Sequence, residues 1–72
     1  MTWKKFTKDN QSELIKEGIN KEIMRLWFLS PPRGFPNKTH KAVILGLAER
    51  MLSPREYGAV ATSLANDYLY YK

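Results

Sequence analysis

Between Leu14 and Trp27 the apolar residues return at steps of three and four, at Leu14, Ile15, Ile19, Ile23, Leu26 and Trp27. That spacing lines one face of an α-helix and predicts a first helix over about 10–29. Asn10, with Glu13 three residues on, has the spacing of a capping box, and Glu17 precedes Lys21 in the favourable i,i+4 order. Gly18 weakens the middle by about 1 kcal/mol relative to alanine unless a neighbour packs closely there. Ser30-Pro31-Pro32 ends the helix, because proline has no amide hydrogen and drives the residue before it out of helical geometry. Pro36 prolongs the break, so 30–38 is expected to be a stiff, proline-rich basic loop.

A second helix is predicted over 39–52, capped by Thr39 and carrying Val43, Ile44, Leu45, Leu47, Ala48, Met51 and Leu52. A helix apolar over most of its circumference has to be covered on more than one side. Two partner helices in so short a chain are expected to leave part of it bare. The third helix, over 54–70, opens with Ser53-Pro54-Arg55-Glu56: a serine cap, proline at the first helical position and glutamate at the third. Its apolar face is Tyr57, Val60, Ala61, Leu64, Ala65, Tyr68 and Leu69, and the alanines four apart let another helix come close. No segment alternates with a period of two. The expected fold is therefore all-α, a compact three-helix bundle in a single domain 1–72, with residues 1–9 as an irregular basic N-terminal arm.

Length and composition narrow the function classes. A chain of 72 residues buries only about 60% of the surface it exposes when unfolded, so its core is marginal and any partner that covers apolar surface matters. The absence of cysteine excludes a disulfide framework and thiolate metal sites, and one histidine excludes a histidine-rich one. The longest apolar run, AVILGLA at 42–48, is far short of the ~20 residues that cross a bilayer. The first residues have lysines with no apolar core behind them, unlike a secretory signal. A cytoplasmic protein without membrane contact is expected.

The net charge of +5 is unevenly placed. Residues 1–8 carry Lys4, Lys5 and Lys8 and no acid; residues 30–41 carry Arg33, Lys38 and Lys41 and no acid. Elsewhere the signs are mixed, as on a solvated helical surface. The excess charge thus falls on the two segments that look least regular.

Catalytic constellations are lacking. His40 has no cysteine to activate, Thr39 reads as a cap, and the pairs Glu13 with Glu17 and Glu49 with Glu56 read as exposed groups in salt bridges. PPRGFPNK has one glycine and is no phosphate loop. The tight turn before the third helix raises a helix-turn-helix, but Gly58, Ala59, Val60 and Ala61 offer nothing to read base edges. No catalytic residue, metal ligand, cofactor or small-molecule substrate is expected.

Two binding readings follow. The preferred one is a non-enzymatic protein that self-associates or docks as a regulator on a partner protein. Its apolar contact is Val43, Leu47, Ala61, Ala65, Tyr68 and Tyr71, and its basic surface is Lys4, Lys5, Lys8, Arg33, Phe35, Lys38, His40 and Lys41. The alternative is non-specific or shape-reading nucleic-acid binding by the same basic surface, with Trp3, Phe6 and Phe35 interleaved for stacking. Convergence of the two basic segments requires the arm to fold back, because a 20-residue helix between them would hold them about 30 Å apart.

Overall fold

The computed structural model describes residues 1–29 and 34–70, the last three by their backbone alone. Five helices follow one another: α1 (Trp3–Asp9), α2 (Gln11–Lys16), α3 (Lys21–Phe28), α4 (Lys38–Met51) and α5 (Pro54–Tyr70). The all-α class holds, and the three-helix count is corrected twice. Ser30, Pro31, Pro32, Arg33 and Tyr71, which carry the expected helix stop and two site residues, lie outside the described residues.

The first correction concerns the arm. Residues 3–9 form a helix, capped by the Thr2 hydroxyl, which accepts from the Lys5 amide at 3.2 Å. Trp3, Phe6 and Thr7 fall at helical spacing and are all buried. Such a short helix is unstable alone and needs packing. Trp3 supplies it: its indole N–H donates to Asp67 Oδ2 at 2.7 Å and its amide to Ser63 Oγ at 3.2 Å, both on α5. The radius of gyration, 11.1 Å, equals the ~11 Å of a compact chain of this length, with no arm extended from it.

The second correction splits the expected 10–29 helix at Gly18. Its φ of +101° is left-handed, a conformation glycine adopts without penalty. The Gly18 amide donates to the Ile15 carbonyl at 2.9 Å and the Ile19 amide to the Leu14 carbonyl at 3.1 Å, the pair of bonds that closes a helix in a Schellman motif. Leu14 and Ile19 are both buried, as the motif's apolar contact requires. Asn20 then starts α3 by accepting from the Glu22 amide at 2.7 Å. Asn10 does not form the expected box with Glu13: it ends α1, its side-chain amide donating to the Phe6 carbonyl at 2.8 Å. Glu17 pairs with Arg50 of α4 at 2.8 Å rather than with Lys21.

The break changes which face is inside. Leu14, Ile19 and Trp27 are buried as expected, but Ile15, Ile23 and Leu26 are exposed, and Met24 takes the inward position one turn before Trp27. Asn37, not Thr39, caps α4, accepting from the His40 amide at 2.8 Å, so the helix begins at Lys38. At the α4–α5 corner the expected capping box is present: the Glu56 amide donates to Ser53 Oγ at 3.3 Å and the Ser53 amide to Glu56 Oε1 at 3.4 Å.

One core joins all five helices: Trp3 and Phe6, Leu14, Met24 and Trp27, Ile44, Leu47 and Ala48, and Val60 and Leu64, with Ile19 between α2 and α3. The surplus expected on α4 is covered. Val43, Leu45 and Leu52 pack against the core, and Met51 alone among its large apolar residues is exposed. Besides Met1, Ile15 and Met51, the bare large apolar side chains among the described residues lie on α3 and its end, at Ile23, Leu26 and Leu29.

A basic cleft between α1 and α3

Folding α1 back onto α3 and α5 decides where the two basic segments sit. Trp3 meets Trp27 edge-on, with ring centroids 6.2 Å apart, and Trp27 in turn meets His40 at 5.6 Å. Three rings thus connect α1, the end of α3 and the first turn of α4. The Lys4 ammonium donates to the Leu29 carbonyl at 3.2 Å and stands 5.8 Å from the Trp3 ring centroid. It also satisfies a carbonyl past the end of α3, where a cation is favoured by the helix dipole. The fold-back thus brings Lys4 to the C-terminal end of α3 and joins the two segments there through the Trp3, Trp27 and His40 rings, while Lys38 and Lys41 do not line the cleft beside the α1 lysines.

Lys4, Lys5, Lys8, Asp9 and the half-buried Phe28 line an open cleft of about 370 Å³. Lys5 is paired with Asp9 at 3.5 Å, an exposed i,i+4 contact of little energetic weight. Lys8 has no carboxylate partner among the described residues. On the other segment Lys38 is exposed, and Lys41 is half-buried and already has a partner. The first turn of α4 holds no acid, so the positive end of its dipole is unbalanced. Gly34 brings the loop close under α3: a Cβ there would lie 3.0 Å from the Leu26 carbonyl oxygen. Phe35 then packs against the core, half-buried.

The expected apolar contact fares differently. Leu47 is 4% exposed and belongs to the core, which corrects its assignment to a surface. Val43 and Ala61 are half-buried and Ala65 is exposed, while the side chains of Tyr68 and Tyr71 lie outside the described ones. Phe28 and Asp9 were not singled out from the sequence. Phe28 falls within the predicted 10–29 helix, and the fold-back of α1 brings three lysines into one cleft with it.

Among the described residues, no group of three His, Cys, Asp or Glu side chains is placed to hold a metal ion, and no helix is long and apolar enough to cross a membrane. Compared with protein-family models, curated proteins and solved structures, the chain matches none. The functional reading therefore rests on the geometry.

Proposed function

We propose that this is a non-enzymatic binding protein that docks on an acidic, apolar-faced segment of another protein through the α1–α3 cleft. The observation that carries it is the fate of the rings next to the lysines. Trp3 is 0% exposed, and Phe6 and Trp27 are 2% exposed. Single-stranded nucleic acid is held by successive bases stacked on accessible aromatic faces, whereas Trp3, Phe6 and Trp27 are used in the core and Phe28 and Phe35 are each half-buried. What shares the cleft with the lysines of α1 is the apolar Phe28, with the half-exposed Leu29 beside Lys4. Cationic and apolar side chains together match a carboxylate-bearing amphipathic chain, with charge steering the encounter and apolar contact holding it.

The test is a direct comparison by fluorescence anisotropy of an acidic peptide containing leucine and phenylalanine with an oligonucleotide of the same charge. The peptide is expected to bind more tightly. Lys5→Gln with Lys8→Gln, both exposed and good helix formers, should weaken it while leaving the circular dichroism unchanged. Tighter oligonucleotide binding, with a log-log salt slope approaching about −0.9 per neutralised phosphate, would assign the surface to nucleic acid instead.

A further inference from the structure

Six of the seven acidic residues are engaged: Asp9 with Lys5, Glu13 with Lys16, Glu17 with Arg50, Glu22 with Arg25, Glu56 with Ser53 and Asp67 with Trp3. Glu49 has no hydrogen-bond or ion-pair partner among the described residues. It lines a second cleft, of about 390 Å³, together with Leu52, Pro54 and Tyr57. Glu49 lies in the last turn of α4 and Leu52 is the extended residue that caps it, while Pro54 and Tyr57 are three apart at the start of α5. Pro54 and Tyr57 share a helix face at that spacing, and the tight corner sets them against Glu49 and Leu52. The Ser53–Glu56 capping box holds the corner in shape.

We propose that this corner is a second binding site, which takes a lysine or arginine side chain of a partner protein. The apolar walls fit the methylene stem, the Glu49 carboxylate accepts the charged head, and the Tyr57 ring adds its negative face. An anion would be repelled by the Glu49 carboxylate, and a purely apolar ligand would leave that carboxylate beside it with nothing to bind. Among the described residues, the neighbouring cations do not fill the place: Arg50 is held by Glu17 at 2.8 Å, and Arg55 does not line the cleft. The net positive charge slows the approach of a basic partner, but it is screened beyond about 8 Å at physiological salt, where the local carboxylate decides. Tyr57 lies six to ten residues along α5 from Ser63 and Asp67, where α1 docks, a separation of about 9–15 Å. The protein would then present two sites of opposite charge preference, as a bridge between two partners requires.

The experiment is an NMR titration of the intact protein with Nα-acetyl-arginine amide, with Nα-acetyl-norleucine amide as the uncharged stem. Saturable shifts centred on Glu49, Leu52 and Tyr57 are expected with arginine. Norleucine should bind about threefold more weakly, and Glu49→Gln should weaken arginine by about the same factor, the worth of one exposed ion pair. Glu49 is exposed and has no partner among the described residues, so its substitution leaves the fold intact, and Glu22→Gln, at a paired site outside the cleft, should change nothing. The proposal is overturned by no saturable shift with arginine, by equal binding of norleucine, or by indifference to Glu49→Gln. Self-association in sedimentation that Glu49→Gln abolishes would give the cleft to a second copy and also overturn it.

Discussion

Replacing Trp3 tests whether α1 is an integral part of the fold and whether the basic cleft depends on it. The side chain is 0% exposed, and burying a tryptophan removes roughly 150–250 Å² from water, worth ~4–6 kcal/mol at about 25 cal/mol per Å². Measured large-to-small substitutions of this kind cost about 3–5 kcal/mol. The indole N–H also donates to Asp67, and a hydrogen bond to a charged acceptor contributes about 1.5–3 kcal/mol when sheltered. Asp67 is half-exposed, so water replaces part of that and ~1 kcal/mol is the fair figure. Trp3→Ala should therefore cost about 4 kcal/mol, much of the roughly 4–11 kcal/mol available to a chain of this length. Trp3→Phe keeps an aromatic ring against Trp27 and loses the donor and part of the area, for about 1–2 kcal/mol. Urea denaturation followed by circular dichroism measures both. A midpoint for Trp3→Ala within error of the parent would refute the docking of α1. Equal costs for the two variants would refute the separation of ring from donor. Where Trp3→Ala stays folded, it should also lose the acidic peptide, because the lysines then no longer share a cleft with Phe28.

Three further outcomes follow from local geometry. The Thr7 hydroxyl is buried and has no hydrogen-bond partner among the described residues, so Thr7→Val should raise stability by about 1 kcal/mol; a lower urea midpoint would mean the hydroxyl is satisfied. Gly18→Ala must hold a left-handed φ and should cost about 1–2 kcal/mol, whereas Gly46→Ala, exposed in mid-helix with open space at its Cβ, should gain about 0.5–1 kcal/mol; thermal unfolding separates the two signs. Asn37→Ala removes the cap of α4 and should cost about 1 kcal/mol, with Thr39→Ala close to neutral; the reverse order in urea titrations would restore Thr39 as the cap.

Where short-range chemistry dominates, reading the chain in one dimension succeeded. The Ser53-Pro54-Arg55-Glu56 start of α5 formed as expected because every group that makes it lies within four residues. The stop at Gly18 and the start at Asn20 were also written locally, a glycine suited to a left-handed cap followed by an asparagine cap. The periodic apolar residues ran through both and concealed them, since Leu14 and Ile19 are buried on either side of the break for the motif's own reason. Thr2 carried a similar signal for α1, but a seven-residue helix has no stability to announce itself by.

By itself, then, the sequence determined the helical class, the α4–α5 corner and the absence of acid from both basic segments. These depend on backbone preference, capping and charge over a few residues. The tertiary structure decided what those segments are for. Trp3 reaches Asp67 across 64 positions and Lys4 reaches Leu29 across 25, contacts that no local window contains. By drawing Trp3 and Trp27 inward they leave lysines and Phe28 lining one cleft, and Glu49 beside Tyr57 lining another at the α4–α5 corner. Burial is a property of the whole packed chain, and it alone chose which apolar and charged groups remain outside to meet a partner.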